Sequence, residues 1–297
     1  MKNILITGTS SGIGFAASKA FIEKGYRVFG SVRKDTDAAT LRSKLGENFY
    51  PLVFDVTDLP AIKEAKNEVE QVLGNKAGLD CLINNAGIAV AGPLLHITAE
   101  ELRFQMEVNL IGMLHVTQVF APLLGATRNF AFKPGKIINI SSAAGKLSYP
   151  FIGPYCASKH AVEGFSNSLR QELMLYGIDV VVVGPGEVIT EIWDKAEEID
   201  LEAYTDTDFY ESGNSFKRFF VKKGRSGMPV AQVGQKLVKI AEKNRPALRY
   251  PLVKDKLTAW WLPLLLPKRI VNNMVANILK LRKRDLPNSK PEVVKAD

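Results

Sequence analysis

Short runs of apolar, often β-branched residues alternate with longer stretches of helical periodicity over the first 185 residues. These runs are continuous rather than alternating in polarity, which is typical of strands buried on both faces of a parallel sheet. Strands that alternate with helices indicate repeated βαβ units. The pattern therefore predicts an α/β fold with a single doubly wound parallel sheet and helices on both faces. The predicted strands are residues 4–7, 27–30, 50–54, 81–83, 136–140 and 179–183.

The pattern changes in the last third of the chain. Residues 191–228 mix acids, aromatics and small residues with little strand signal, and such an insertion near the end of a sheet predicts a substrate lid. An amphipathic helix is predicted over 229–243 and one more strand over 247–253. We expect residues 1–253 to form one domain that includes the lid, and 254–297 to form a C-terminal extension.

Composition narrows the class of protein. The chain has 297 residues, of which 46% are hydrophobic and 24% are charged, so it can bury a large core without disulfides or metals. Its two cysteines, Cys81 and Cys156, form no CxxC, and it has three histidines. These counts exclude a disulfide framework and a cysteine-based or histidine-rich metal site, and they indicate a reducing compartment. The N-terminus shows no charged and apolar secretory leader, so we expect a cytoplasmic location.

A glycine-rich loop follows the first predicted strand. Its sequence is TGTSSGIG at 7–14, and a helix is predicted to begin at once. Glycines let the backbone turn tightly and let a pyrophosphate approach the helix N-terminus, where free amides and the helix dipole favour an anion. The spacing GxxxGxG differs from the commoner GxGxxG, but a strand before it and a helix after it favour a dinucleotide site over a plain turn.

The residues after the second and third strands bear on the choice of dinucleotide. An acid after the second strand would bind the ribose 2′-hydroxyl of NAD, whereas an arginine suits the 2′-phosphate of NADP. This chain has Arg33 and Lys34 there, with no acid before Asp35. We predict that NADP(H) is preferred, with NAD(H) as the alternative. Asp55 and Val56 are placed to meet the adenine, although Asp55 would also suit a helix cap.

A tyrosine and a lysine one helical turn apart are the candidate acid–base unit. Tyr155 and Lys159 lie at the start of a helix predicted to run to about residue 176. Free tyrosine titrates near pH 10, and a neighbouring ammonium favours the phenolate. Ser142 follows the fifth strand, at the edge of the sheet where such folds bind ligands, and its hydroxyl could donate to a substrate oxygen.

Together these motifs resemble the short-chain dehydrogenase/reductase family. The resemblance covers roughly residues 3–190, and its motifs occur in the family's order. They are TGTSSGIG at 7–14, NNAG at 84–87, Asn109 within VNLIG, SSAAG at 141–145, YCASK at 155–159 and PGEVIT at 185–190. The resemblance implies a Rossmann fold and an oxidoreductase. The sequence YCASKHAVEGF and the apolar C-terminal extension resemble the hydroxysteroid and retinol dehydrogenase branch.

The resemblance also implies roles for individual residues. Tyr155 would be the general acid–base, Lys159 would lower its pKa and hold the nicotinamide ribose, Ser142 would polarise the carbonyl, and Asn109 would position a water in a proton relay. Ser141 is the rival of Ser142, but the family spacing to Tyr155 favours Ser142. Relatives that prefer NADP often have a basic residue where this chain has Ser11. The predicted cofactor-binding residues are Gly8, Ser10, Ser11, Gly12, Ile13, Gly14, Arg33, Asp55, Val56, Asn85, Ala86, Gly87, Tyr155, Lys159, Pro185, Gly186, Val188 and Thr190, with Asn84 in the same cleft-lining segment.

The C-terminal extension is first apolar and then basic. Residues 257–267 are an uncharged run of 11 residues, which is too short to span a bilayer. Residues 268–297 hold eight cations and three acids, and the net charge of the whole chain is +8. An apolar face with tryptophans and a basic end favours a helix lying on an anionic membrane, and we predict peripheral contact through 257–284. The alternative is a cover for the substrate cleft or a subunit interface. No recognition motif accompanies the charge, so we expect no nucleic-acid partner.

The function predicted from the sequence is interconversion of a carbonyl and an alcohol with NADP(H). The resemblance to the hydroxysteroid and retinol dehydrogenase branch implies a bulky apolar small molecule, such as a steroid, a retinoid or a long-chain carbonyl. We also expect a homodimer or homotetramer, because relatives pair through the helices after Asn109 and from Tyr155. The alternatives are a non-catalytic nucleotide sensor or scaffold, an NAD-dependent alcohol dehydrogenase, and an epimerase or dehydratase of the same fold.

Overall fold

The computed structural model describes residues 1–74, 77–197 and 201–283. Its strands are β1 (Asn3–Ile6), β2 (Arg27–Val32), β3 (Phe49–Val53), β4 (Cys81–Asn84), β5 (Lys136–Ile140), β6 (Asp179–Pro185), β7 (Val188–Ile189), β8 (Met228–Pro229) and β9 (Arg249–Leu252). Seven of them form one parallel sheet in the order β3-β2-β1-β4-β5-β6-β9, and β7 pairs with β8 apart from it. The order reverses direction at β1, which places the carboxyl ends of β1 and β4 at the switch point where such sheets bind ligands.

Helices cover both faces of the sheet. They are α1 (Gly12–Glu23), α2 (Asp35–Leu45), α3 (Leu59–Leu73), α4 (Ala99–Met106), α5 (Gly112–Leu124), α6 (Gly153–Leu173), α7 (Ile192–Glu197), α8 (Tyr210–Arg225), α9 (Val230–Glu242), α10 (Leu262–Leu265) and α11 (Lys268–Ile278). The predicted strand at 247–253 and helix at 229–243 are confirmed as β9 and α9.

Successive strand residues point into two separate cores. In β1, Ile4 and Ile6 pack with Phe21 of α1 and Leu237 of α9, whereas Leu5 packs into the opposite core with helices α3 and α5. The side chains of Ile4, Leu5 and Ile6 are at most 1% exposed. Because each face of the sheet is covered, both sets of strand residues must be apolar, and this explains the continuous runs. The predicted α/β doubly wound fold is confirmed.

Among the described residues, the stretch from α4 to α5 forms one long apolar helical segment. Residues 99–124 are long and apolar enough to cross a membrane by length and composition. However, Val116, Phe120 and Leu124 of α5 are fully buried against the sheet. The segment is therefore a core helix of this fold. A π-helical turn, Glu107–Ile111, joins α4 to α5 and carries Asn109.

The predicted lid contains more helix than its composition suggested. Helices α7 and α8 lie within 191–228, and β8 pairs at its end with β7. Lid residues 198–200 lie outside the described residues. Aromatic side chains of α8 face inward, where the rings of Phe216 and Phe220 stack with centroids 4.8 Å apart, while Phe219 points to solvent.

The extension predicted to start at residue 254 packs against the domain. A π-helical turn at Leu257–Trp261 leads into α10 and α11. The Trp260 side chain is buried against Ala143 and Val253. Arg284 and the rest of the basic tail, 284–297, lie outside the described residues.

The close packing of α1 on α9 yields a test of the fold. A methyl group on Gly234 of α9 would lie 2.4 Å from the Ala16 carbonyl oxygen of α1. Helix propensity alone favours alanine over glycine by about 1 kcal/mol, but here the helices would have to separate. We expect Gly234→Ala to lower the free energy of unfolding by about 1–3 kcal/mol in urea denaturation.

The matched control is Gly164→Ala in α6, because a methyl group there has no atom within 4 Å. This variant should be stabilised by up to about 1 kcal/mol. If both variants were stabilised equally, the α1–α9 contact would not have the geometry described.

Candidate active site

The glycine-rich loop is shaped by two close approaches. Gly8 has φ of +69°, in the left-handed region that favours glycine. A methyl group on Gly14 would lie 2.0 Å from the Gly8 carbonyl oxygen and 2.7 Å from the Asn85 amide nitrogen. The loop therefore folds back onto the first turn of α1, and no larger residue fits at Gly14.

Polar contacts from neighbouring strands hold this loop in place. The Thr7 hydroxyl oxygen accepts from the backbone amides of Asn85 and Ala86 at 2.9 and 3.0 Å. The Asn85 side-chain amide donates to the carbonyl oxygens of Thr7 and Gly8. The Ser31 hydroxyl oxygen, at the end of β2, accepts from the Gly8 amide. The NNAG segment thus sets the loop geometry, and Asn85 and Ala86 act on the backbone of the loop.

Asn84 of the same segment points away from the cleft. Its side-chain amide is 2% exposed and donates to the Thr117 hydroxyl and to the Asn139 side-chain oxygen. Asn139 in turn donates to Ser166. Asn84 therefore belongs to a buried polar chain that joins β4, β5 and α6, and its side chain does not line the cofactor cleft.

A cavity of about 480 Å³ lies beside the glycine-rich loop. Its walls include Ser10, Ser11 and Gly12 of the loop, Lys44 of α2 and Thr190 after β7. Ser11 is the N-cap of α1 and makes no side-chain cap bond, so the first amides of the helix are available to an anion. Ile13, the next residue of the loop, is partly buried against the core. A cradle of this kind suits a pyrophosphate.

The candidates for adenosine recognition lie at the ends of β2 and β3. Arg33 is exposed, and among the described residues it has neither a hydrogen bond nor an ion pair. The Asp55 carboxylate accepts from the backbone amide and hydroxyl of Thr57. Asp55 is not the helix cap that the sequence left open, because Asp58 caps α3 through the Ala61 amide. Val56 is buried against Gly112 of α5.

Lys159 is buried under the edge of the sheet. Its ammonium donates to the Ile140 carbonyl oxygen at 2.9 Å and lies 5.7 Å from the centroid of the Tyr155 ring. Burial lowers the pKa of Lys159 to about 8. A methyl group on Gly87 would lie 3.7 Å from the Lys159 nitrogen and 3.1 Å from the Asn109 side-chain oxygen, so these three predicted residues do meet.

The pKa of Tyr155 differs in direction from the expectation. Burial raises the pKa of Tyr155 above its ordinary value, and a hydrogen bond with Ser142 lowers it only in part. We expected the lysine to lower it, but the Lys159 ammonium is directed to the Ile140 carbonyl rather than to the phenol. The tyrosine is therefore a neutral phenol at pH 7, next to Ser142.

Asn109 occupies the π-helical turn and is 1% exposed. Its side-chain oxygen accepts from the Ile88 amide at 2.9 Å, and its nitrogen donates to the Ile88 carbonyl and the Ser158 hydroxyl at 3.0 Å. The side chain is thus fully engaged in joining the segment after β4 to α6. No periodicity in the sequence distinguished this turn from an ordinary helix.

Segments after β6 complete the cleft. The Ser142 hydroxyl lies 3.4 Å from the Pro185 carbonyl oxygen, and the Gly186 amide donates to the Leu252 carbonyl. The Val188 carbonyl accepts from the Trp193 indole, while Thr190 faces Gly12 of the glycine-rich loop. Thr190 therefore lies across from the glycine-rich loop, whereas Val188 is 5% exposed and packs in the core.

A partly buried ion pair that was not predicted from the sequence holds the backbone of Ser142. The Arg249 guanidinium donates to both carboxylate oxygens of Glu163 at 3.0 Å and to the Ser142 carbonyl oxygen at 3.2 Å. It also stacks over the Trp260 ring at 4.2 Å. Arg249 is 107 positions from Ser142, so motif spacing gave no sign of the contact. The pair ties strand β9 and the C-terminal extension to the segment that carries Ser142.

An apolar cluster adjoins Tyr155. Its buried members include Phe151, Ile152 and Phe216, and Tyr155 packs at its border. Of the predicted lid aromatics, Phe209, Phe216 and Phe220 belong to this cluster. Val275 of α11 and Leu279, the residue that follows α11, also belong to it, although the sequence did not distinguish them from their apolar neighbours.

A protein-family model matches the sequence that contains most of these residues. The model described as short chain dehydrogenase covers residues 2–200, two thirds of the chain. The chain belongs to the short-chain dehydrogenase family. The resemblance predicted from the motifs is confirmed, and with it the oxidoreductase class.

Two bacterial members of the family match almost the whole chain. An NADPH-dependent 3-dehydrocapnine reductase from Ornithobacterium rhinotracheale is 41% identical over 280 residues, which cover 94% of this chain and 98% of that protein. A 3-ketodihydrosphingosine reductase from Bacteroides thetaiotaomicron is 34% identical and covers 88% and 93%. Retinol dehydrogenase 16 from Mus musculus is 35% identical but covers only 66% of this chain and 59% of its own length.

Solved structures of short-chain dehydrogenases have the same fold. An actinorhodin polyketide ketoreductase with NADPH has a TM-score of 0.71 at 28% identity and covers 84% of this chain and 95% of its own. A short-chain dehydrogenase from Streptomyces avermitilis has a TM-score of 0.70 at 24% identity and covers 94% and 95%.

Proposed function

We propose that this short-chain dehydrogenase is an NADP(H)-dependent reductase that converts the ketone of a long-chain substrate to a secondary alcohol. The observation that carries the proposal is the placement of Ser142, Tyr155 and Lys159. Two hydroxyls and a buried ammonium converge at the carboxyl edge of the sheet, between the glycine-rich loop and an apolar cluster. This arrangement suits a polar reacting group on an apolar chain.

The residues of the cleft fit NADP(H). Gly8 and Gly14 let the loop fold back onto the first turn of α1, whose free amides suit a pyrophosphate, and the exposed Arg33 has no protein partner among the described residues. Its guanidinium would pair with a 2′-phosphate, whereas NAD offers it no anion at that position. Bound NADPH would supply the hydride. The name of the O. rhinotracheale relative supports the same cofactor.

Tyr155 would supply the proton. Burial raises the pKa of Tyr155, so the phenol is protonated at neutral pH and can donate to an alkoxide that develops on the substrate. The Ser142 hydroxyl would donate a second hydrogen bond to the same oxygen. A protonated phenol is the form that the proposed reduction requires.

Lys159 and Asn109 would support proton transfer by Tyr155. The Lys159 ammonium, with its pKa lowered to about 8, is still mainly charged at pH 7 and can hold a ribose hydroxyl or return a proton towards Tyr155. Asn109 lies beside Gly87 and Lys159 and fixes the segment that borders them. We retain its predicted place in a proton relay as part of the proposal.

The substrate class follows from the cluster and from the relatives. Among the three predicted substrate classes, a long-chain carbonyl is better supported than a steroid or a retinoid. The two relatives that match nearly the full chain are named for reduction of 3-dehydrocapnine and 3-ketodihydrosphingosine, whereas the retinol dehydrogenase matches only two thirds. The second of these substrates is a ketone on a long alkyl chain. The aromatic lining beside Tyr155 gives such a chain an apolar path.

We also propose a homodimer or homotetramer in the cytoplasm, with peripheral membrane contact through 257–284. Leu102 and Phe104 of α4 are 41% and 56% exposed, beside α6, and pairing of copies through this face would cover them. Sedimentation equilibrium measures the assembly directly. Position 284 of the membrane segment lies outside the described residues.

Tyr155→Phe tests the catalytic assignment. Removing the phenol hydroxyl deletes the proton donor without changing the ring, so NADPH oxidation with a long-chain ketone should fall by about 10²–10⁴-fold. NADPH binding, followed by fluorescence, should change less than about threefold. Tyr149→Phe is the matched control, because Tyr149 lies in the same apolar cluster and should retain turnover.

Two results would contradict the assignment. Equal turnover in Tyr155→Phe would exclude the phenol as proton donor. A wild-type protein that binds NADPH but never consumes it would favour the non-catalytic sensor, and catalysis without net cofactor consumption would favour an epimerase or dehydratase.

Arg33→Ala tests the cofactor preference. Loss of a charge-assisted contact to the 2′-phosphate should weaken NADPH binding by about 10- to 100-fold and leave NADH binding nearly unchanged. Lys24→Ala, an exposed lysine beyond the other end of α1, is the control and should change neither. Tighter binding of NADH than NADPH by the wild type would overturn the preference.

A further inference from the structure

Helix α11 presents apolar side chains on two sides. Val275, and Leu279 at the C-terminal cap of the helix, point inward into the apolar cluster beside Tyr155. Ile270, Met274 and Ile278 recur every fourth residue on another side and are 47%, 52% and 51% exposed. A helix of a soluble domain normally places polar residues on its outer side, so this outer stripe needs a further apolar surface.

The segment before α11 extends the same exposed apolar surface. Leu257, Trp261 and Leu265 are 68%, 51% and 77% exposed. Leu262 and Leu264 are also exposed. Single exposed apolar residues are common on proteins, but here eight large ones occur within residues 257–278. We call the described residues 254–283 the docking segment.

Charge in the docking segment identifies what the surface fits. It holds seven cations and one acid, Asp255, a net charge of +6. The cations are Lys254, Lys256, Lys268, Arg269, Lys280, Arg282 and Lys283. A second copy of this chain would bring the same positive charge against it. A surface that combines apolar chains with negative headgroups complements both features.

The inner side of α11 connects this surface to the candidate active site. Leu279 is 4% exposed and packs with Phe216 of α8 in the cluster that Tyr155 borders. The Ser212 hydroxyl of α8 donates to the Lys280 carbonyl oxygen at 2.7 Å and anchors the end of α11. The inner side of α11 therefore packs on the cluster beside Tyr155, and its outer side exposes apolar residues to solvent.

We propose that the docking segment lies on an anionic membrane surface, and that α11 is the passage by which a long-chain ketone moves from the bilayer into the cleft. The membrane contact stands on the exposure and charge of the segment alone. The passage rests on the proposed function, because it requires a substrate that partitions into lipid. An alkyl chain that enters between α8 and α11 would separate Leu279 from Phe216 and then lie against the apolar cluster that Tyr155 borders.

Vesicle sedimentation tests the membrane contact. The wild-type chain should sediment with vesicles of phosphatidylglycerol and phosphatidylcholine, and at least about tenfold less with phosphatidylcholine alone or in high salt. The triple variant Ile270→Gln/Met274→Gln/Ile278→Gln keeps the inner side intact and should lose at least about tenfold in binding. The control Met174→Gln/Leu175→Gln removes two exposed apolar side chains after α6 and should bind as the wild type.

Kinetics of the same proteins test the passage. With a short-chain, water-soluble ketone, the triple variant should match the wild type, since none of the three residues touches the cluster beside Tyr155. With 3-ketodihydrosphingosine embedded in anionic vesicles, its rate should fall at least about tenfold. Thermal unfolding and NADPH binding confirm that the variant is folded.

Three outcomes would overturn the proposal. The first is a wild-type chain that stays in the supernatant with anionic vesicles. The second is a triple variant that binds vesicles as tightly as the wild type. The third is a dimer that dissociates in the triple variant without vesicles, which would make the stripe a subunit interface. Vesicle binding as expected without NADPH oxidation by any ketone would support the membrane contact and overturn the proposed function instead.

Discussion

Hydrogen bonds between consecutive loops at the carboxyl edge of the sheet fix the candidate active site. Parallel strands all end at this edge, but strand pairing stops there and leaves each loop to be held by other contacts. Ser31 holds the glycine-rich loop from one side, and Thr7 with Asn85 hold it from the other. Asn109 ties the next segment to α6, and Arg249 holds the backbone of Ser142. Each loop is thus positioned by a polar side chain from a neighbouring element.

This arrangement explains why the fold and the motifs were predictable from the sequence. A sheet covered on both faces requires apolar strands, so the runs at β1 and β6 predicted it directly. Residues that form the polar contacts at the edge must follow the strands, and short motifs therefore occur at fixed places along the chain. The close approach of Gly14 to Gly8 admits only glycine, which is why the loop has a recognisable pattern.

Features that depend on distant packing were not predictable. The contact of Arg249 with Ser142 joins positions 107 residues apart, and no local pattern indicates it. The pKa of Tyr155 was expected to fall because of Lys159, yet burial by the surrounding elements raises it. The helical periodicity of α11 was visible, but two apolar sides on one helix do not reveal which side faces the protein. The structure assigns Leu279 to the inside and Met274 to the outside.

Transfer of hydride from NADPH to a long-chain ketone is the central claim, and isotope transfer tests it most directly. The purified chain would be given NADPH deuterated at nicotinamide carbon 4, in each stereochemical form, with 3-ketodihydrosphingosine in anionic vesicles. We predict that one form yields an alcohol carrying deuterium on the former carbonyl carbon, in proportion to the NADPH oxidised. NADPH oxidation without a deuterated alcohol, or no oxidation with either form, would contradict the account.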